Sequence, residues 1–200
     1  MTSRATDLRR RLADLKLYGL LERFDTIQDE PWLASIVEWE ETTRRQRSLE
    51  RRLKRARLGR FKPMTDFDWD WPEEIDRRQV EDIFGLDWVT SATNVVLVGA
   101  NGVGKTMIDR NLAHQAILAG HTVKILTASE MLNSLAEIDS SSGLLRRLRA
   151  LMRPQILVVD ELGYLSYDNR HADLLFEVIS RRYEHKPIIV TTNKAFVEWN

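Results

Sequence analysis

The run Gly99-Ala-Asn-Gly-Val-Gly-Lys-Thr106 fits the template G-x-x-x-x-G-K-[ST] without a gap. It follows the apolar stretch Asn94-Val-Val-Leu-Val98 and opens a helix-like segment from Met107 to Ala119. A strand before and a helix after are the setting in which this template makes a phosphate-binding loop. A polyphosphate carries several negative charges. Such a loop meets them with successive backbone N–H groups and the positive end of a helix. Gly99, Gly102 and Gly104 are expected to adopt backbone conformations that a Cβ would forbid. Ala100, Asn101 and Val103 complete the cradle, Lys105 is placed to reach the β- and γ-phosphates, and the Thr106 hydroxyl to ligate Mg²⁺. The expected ligand is a nucleoside triphosphate.

Gln155-Ile-Leu-Val-Val-Asp160-Glu161 reads as a buried parallel strand that delivers carboxylates to its C-terminal edge, where open α/β sheets bind ligands. Asp160 is expected to hold the Mg²⁺ shell. Glu161 is placed to polarise a water for attack on the γ-phosphate, a reaction governed by positioning and charge stabilisation. Taken alone, an apolar run ending in two acids is often a strand end with solvated carboxylates. Behind a phosphate loop it gains meaning. Pro187-Ile-Ile-Val-Thr-Thr-Asn193 repeats the buried-strand pattern, and Asn193 is either a second orienting group for that water or a strand-ending turn residue.

Two hundred residues suffice for one core and a small accessory region. No apolar run approaches membrane-spanning length and no apolar leader opens the chain, so a cytoplasmic protein without membrane contact is expected. The absence of cysteine excludes disulfides and thiolate metal sites. His114, His121, His171 and His185 lack ligand spacing.

A net charge of zero conceals a polarised chain. Ten basic residues face one acid, Glu50, between Arg44 and Lys62, whereas eight acids face only Arg77 and Arg78 between Asp66 and Asp82. Asp29-Glu-Pro31 predicts a helix start, and Gly59 a stop after about Leu58. On that helix Trp32, Ile36, Trp39 and Thr43, then Leu49, Leu53 and Ala56, are expected to form the packed stripe. Arg44, Arg45, Arg51, Arg52 and Arg55 fall on the other side. An arginine-rich face suits phosphate contact and marks these five as candidate contacts to double-stranded DNA. A solvated basic face paired with the acidic stretch is the alternative.

These pieces predict three regions. Residues 1–60 are helical, beginning with Leu8, Leu12, Leu15, Leu20, Leu21 and Phe24 on an amphipathic segment broken near Gly19. Residues 61–75 form a linker whose aromatics dock. Residues 76–200 alternate strands (94–98, 122–127, 155–160, 187–192) with helices, which predicts an α/β fold with a parallel sheet and helices on both faces. Ser129 is a candidate helix cap, and Asp139-Ser-Ser-Ser-Gly143 a polar turn. Asp109 stands in the first turns of the loop's helix. The helix dipole favours its charge there, but if it faces the sheet the charge costs stability.

GANGVGKT, VVDELGYLSYDN and IVTTN, with RRLKRARLGRFK and DRRQV upstream, resemble the IstB-like transposition helper ATPases, AAA+ P-loop proteins of the clade that includes DnaC-type helicase loaders. The more specific marks are the basic helix joined to Asp76-Arg-Arg-Gln79, Glu161-Leu-Gly-Tyr164, and Phe196-Val-Glu-Trp199. The resemblance implies ATP and Mg²⁺ as cofactors, Gly99–Thr106 as the Walker A loop, Asp160 and Glu161 as the Walker B pair, and Asn193 as the first sensor. It also implies a homo-oligomer on DNA that serves the transposase of the same element. Helicase loading, or DNA binding by a catalytically dead remnant, are the rival functions. The strand order implied is 5-1-4-3-2, and the chain stops soon after Asn193. The expectation is therefore a C-terminally truncated core without its last strand, arginine finger or second sensor, and a weak ATPase.

Overall fold

A computed structural model of the chain describes residues 3–163 and 169–195. Tyr164 and the run Phe196–Trp199, among the marks of family resemblance, lie outside the described residues. Two compact units are present, residues 1–51 and 52–200, and the division falls inside one long helix.

In the first unit α1 (Ser3–Asp14), α2 (Tyr18–Glu22) and α3 (Phe24–Ile27) precede α4 (Pro31–Ala56). Leu8, Leu12 and Leu15 join Phe24 in a buried cluster, as their spacing predicts. The break in the first segment lies at Lys16, whose left-handed backbone (φ 55°) ends α1, and not at Gly19, which is absorbed into α2. On the first half of α4 the predicted stripe is displaced by one residue, whereas Leu49 and Leu53 are half-buried and Ala56 is fully buried as predicted. Leu33 and Val37 are fully buried in the same cluster, while Trp32 and Trp39 stay 41% and 67% exposed and Thr43 faces solvent. Leu and Val are narrow enough to let two helices approach. Arg11 of α1 donates to both carboxylate oxygens of Glu41 at 2.9 and 3.0 Å, a forked pair that fixes the rotation of α4 and holds the Glu41 carboxyl below its ordinary pKa. Pro31 occupies the first helical position, as predicted, and Arg57 (φ 59°) ends the helix just before Leu58.

The second unit continues through a short 3₁₀ turn (Met64–Asp66), α5 (Arg77–Ile83), α6 (Asp87–Thr90), β1 (Val95–Val98), α7 (Lys105–Leu118), β2 (Val123–Thr127), α8 (Ala128–Ala136), α9 (Ser141–Met152), β3 (Ile156–Leu162), α10 (Asn169–Arg182) and β4 (Ile188–Thr192). The four strands are parallel in the order β1-β4-β3-β2, with Val95 opposite Ile189, Val158 opposite Ile189 and Val123 opposite Ile156. This is the predicted α/β sheet. Crossovers between parallel strands require helices, and their apolar sides close the faces. Leu157 and Val159 of β3 pack with Ile188, Val190 and the apolar sides of α8, α9 and α10. The alternate residues of β3 and β4 turn to the other face, where α7 buries Ile108, Leu112, Ala113, Ala116 and Ile117. Among the described residues β1 pairs only with β4, and its Val96 and Val98 are 36% and 42% exposed.

Caps fall where side chains reach backbone donors. Thr127, and not Ser129, caps α8: its hydroxyl accepts from Glu130 N–H, and the Glu130 carboxylate accepts from Thr127 N–H, each at 3.1 Å. Ser129 sits inside the helix that this reciprocal pair starts. The polar turn predicted over Asp139–Gly143 is shorter than expected, because Ser140 accepts from Gly143 N–H and begins α9. Asp76 caps α5 through Gln79 N–H at 3.1 Å. The guanidinium of Arg182 is 1% exposed and donates to the carbonyls of Leu151, Pro154, Gln155 and Pro187. It ties the end of α9 to the starts of β3 and β4, and burial lowers its pKa to about 10.

Candidate functional site

At the C-terminal ends of β1, β3 and β4, Asn101, Gly102, Gly104, Lys105, Thr106, Asp160, Glu161, Thr191 and Thr192 line a pocket of about 270 Å³. A parallel sheet places strand ends and the N-terminus of the following helix together, which is why residues far apart in sequence meet here. Gly102 (φ 83°) and Gly104 (φ 95°) take left-handed conformations. Gly104 is doubly constrained, because a Cβ there would come within 2.5 Å of the Phe67 ring. Gly99 differs from the expectation. Its backbone is not left-handed, and what its missing side chain spares is a 3.2 Å contact with Val103 Cγ2.

Lys105 Nζ donates to the carbonyls of Gly99 and Ala100 at 2.6 and 2.7 Å, so the ammonium is folded back over its own loop. Burial lowers its pKa, and the charge of Asp160 opposes that shift. Thr106 is exposed at the pocket wall at the start of α7. Asp160 is 3% exposed. Its Oδ1 accepts from Thr191 Oγ1 and its Oδ2 from Arg110 Nη2 at 3.1 Å. Glu161 sits at an irregularity in the β3–β4 register with φ 62°, its N–H donating to Thr191 Oγ1 at 2.9 Å and its side chain exposed. A non-glycine residue held left-handed at a bulge is a strained way of aiming a side chain, and here it aims a carboxylate at the pocket. Asn193 follows β4 and is exposed beside Gly163, where a Cβ would come within 3.1 Å of its Oδ1. It lies at the strand ends but does not line the pocket.

Hard oxygen donors from a hydroxyl and a carboxylate suit Mg²⁺, which takes only one or two protein ligands when phosphates supply the rest. The residues present fit that ion: Thr106 and Asp160 share one pocket wall. Among the described residues no group of three acidic, histidine or cysteine side chains offers a self-sufficient metal site.

Of three further features, the docked linker aromatics and the buried Asp109 were expectations of the sequence, whereas the partners of Asp160 escaped it. The linker aromatics Phe67 and Trp69 pack at a tilt of 58° with ring centres 4.7 Å apart, and Arg77 covers Trp69 at 4.8 Å. With Met64, Val80 and Phe84 they line an apolar pocket of about 460 Å³, joined to the phosphate loop through Phe67. Trp71 of the same linker is exposed instead. Thr191 and Arg110 both reach Asp160 from other elements. Asp109 is fully buried with neither carboxylate oxygen hydrogen-bonded. Burial first, and then the charge of Asp160, push its pKa up to about 8, against a smaller opposing pull from Arg110.

That shift has a sign. The folded chain keeps a proton on Asp109 between about pH 4 and 8, where the unfolded chain has lost it, so stability falls as pH rises through this window. Denaturation from pH 5 to 8 is expected to show a contribution of up to about 1.4 kcal/mol per pH unit that Asp109→Ala removes. Equal pH slopes in the two proteins would contradict a buried carboxyl without a hydrogen bond.

The family described as IstB-like ATP binding protein matches residues 15–200. The chain belongs to this IstB-like family. It is 34% identical over 168 residues to the ATP-binding protein of insertion sequence IS5376 from Geobacillus stearothermophilus, covering 84% of this chain and 67% of that one. To the ATP-binding protein of insertion sequence IS21 from Pseudomonas aeruginosa it is 37% identical, covering 84% and 63%. The chain thus spans about two thirds of the length of these IstB-like relatives. Among solved structures, AMPPCP-bound DnaA from Aquifex aeolicus superposes with TM-score 0.54 at 17% identity, covering 62% of this chain and 38% of that one. DnaI superposes with TM-score 0.51 at 19% identity, covering 66% and 70%. These two likenesses establish the fold alone. No helix among the described residues is long and apolar enough to cross a membrane.

Proposed function

We propose that this IstB-like chain binds and hydrolyses ATP with Mg²⁺ and acts as a DNA-binding helper of an insertion-sequence transposase, working as a homo-oligomer on double-stranded DNA in the cytoplasm. The observation that carries the reading is the single pocket wall shared by Lys105, Thr106, Asp160 and Glu161 in a chain of this family. The triphosphate lies along Gly99–Thr106, and the base occupies the neighbouring aromatic pocket of Phe67 and Trp69. Lys105 leaves the carbonyls of Gly99 and Ala100 to meet the terminal phosphates. Thr106 and Asp160 would hold Mg²⁺, which when bound would neutralise charge on the phosphates. Glu161 accepts a proton from the attacking water, and Asn193 orients that water from the end of β4.

The DNA contacts are assigned to α4. Arg44, Arg45, Arg51 and Arg55 are exposed, and Arg44, Arg51 and Arg55 recur at the spacing of one helix face. Arg44 and Arg45 also pair with Glu40 and Glu41 one turn earlier, contacts that phosphates can replace. Arg52 instead supports the fold, since it is half-buried and donates to the Ile117 carbonyl at 3.2 Å, at the end of α7. The clean test is charge reversal of Arg44, Arg51 and Arg55, leaving Arg52 intact. Fluorescence-anisotropy titrations on duplexes of several sequences should show weaker binding by the variant on all of them. The log–log salt slope should become shallower by about 0.9 for each lost phosphate contact. Unchanged affinity and slope would return α4 to a solvated face.

A further inference from the structure

The phosphate pocket continues inward into a chain of polar groups that the reaction does not account for. Asp160 has both oxygens engaged, one by Thr191 and the other by Arg110 at 3.1 Å. Arg110 belongs to the second turn of α7 and is 18% exposed. Its Nε also lies 3.8 Å from Asp109 Oδ1, while its Nη1 is buried with no hydrogen-bond partner. Asp109 presents two buried oxygens, likewise without one. The two residues therefore stand side by side with hydrogen-bonding capacity unused on each, and the 3.8 Å from Nε to Oδ1 is about 1 Å beyond the length of a charge-assisted hydrogen bond. Groups buried this way are costly, and a fully engaged alternative lies one small side-chain movement away.

We propose that Arg110 is a positioning residue for Asp160, which it holds in the arrangement seen here and leaves for Asp109 when Mg²⁺ takes the carboxylate. The guanidinium and the metal ion would compete for the Asp160 carboxylate, because both are cations and Thr191 already engages its other oxygen. Asp109 is the second seat, whose carbonyl oxygen can accept from the displaced guanidinium even while the carboxyl keeps its proton. The position of Arg110 thus sets how much Mg²⁺ the site requires. Asp109, a burden to the fold by itself, has a use as the landing point. This inference rests on the reading of Asp160 as the carboxylate of the Mg²⁺ shell.

The test is a Mg²⁺ titration, starting from EDTA, of binding of a fluorescent non-hydrolysable ATP analogue to the whole chain. Removing the competitor with Arg110→Gln should lower the Mg²⁺ midpoint about tenfold, the scale of one hydrogen bond to a charged group. Affinity in EDTA should stay unchanged. Removing the landing point with the apolar Asp109→Leu should raise the midpoint, and this effect should vanish in the Arg110→Gln background. Opposite signs with non-additivity separate transfer from mere loosening of α7, which would move both midpoints the same way. Should Arg110→Gln fail to fold by thermal melting, Arg110→Met supplies the same reading with a side chain suited to the buried stem. A wild-type midpoint in the Arg110 variant, or an Asp109 effect that persists without Arg110, overturns the proposal. A Lys105→Ala control that binds the analogue as tightly as wild type would instead indict the phosphate-loop assignment.

Discussion

Lys105→Ala is expected to reduce binding of a non-hydrolysable ATP analogue by about two orders of magnitude, the loss of one or two hydrogen bonds to charged groups. The ammonium is the positive side chain on the wall of the pocket, and two short bonds to Gly99 and Ala100 keep it there. Those bonds are to neutral carbonyls, so exchanging them for phosphate oxygens gains charge attraction without leaving a donor stranded. Alanine also removes a tie across the loop. A thermal melt therefore accompanies the calorimetric titration, to separate lost affinity from a lost loop. Thr106→Ala gives the complementary result: weakened binding only when Mg²⁺ is present, because its hydroxyl serves the ion and not the phosphates directly. Wild-type affinity in Lys105→Ala at full stability would mean that the glycine-rich turn cradles no phosphate.

The sheet was legible because each strand is an unbroken apolar run between polar ends, and both faces of a parallel sheet are covered. All four strands begin one residue after the predicted position. The phosphate loop was legible for a different reason: its residues are contiguous, so one stretch of sequence contains the whole device. Helix rotation was not. On α4 two apolar sets share helical spacing, Trp32-Ile36-Trp39 and Leu33-Val37, and nothing local chooses between them. Their neighbours on α1 choose, through Leu8, Leu12 and the Arg11–Glu41 pair. Ser129 was the expected cap, but Glu130, three residues after Thr127, closes the reciprocal pair with Thr127 instead. Least legible were the partners of Asp160. Arg110 is 50 positions away and Thr191 is 31, and only the sheet order and the rotation of α7 bring them together. Their placement has a cost, since Asp109 is buried by the same rotation that aims Arg110.

Glu161→Gln is expected to leave nucleotide affinity near the wild-type value and to lower turnover by about 10²- to 10⁴-fold, the usual worth of a positioned general base. The two effects separate because backbone and side chain serve different ends. The backbone N–H is bonded to Thr191 Oγ1, which also engages Asp160, whereas the side chain is exposed toward the pocket. Glutamine keeps the backbone, the volume and one carbonyl acceptor, and loses only the capacity to take a proton. The left-handed conformation at φ 62° supplies a second arm. Glu161→Gly relieves a backbone penalty of about 1–2 kcal/mol, offset in part by the greater freedom of glycine in the unfolded chain. That variant should be at least as stable as Glu161→Gln and equally inactive. Greater stability with no activity identifies strain retained for the reaction, since a residue kept for folding would not lose activity while gaining stability. Steady-state phosphate release, measured with DNA present, decides the matter. Turnover at the wild-type rate in either variant would remove Glu161 from the reaction and leave its strained backbone without a purpose.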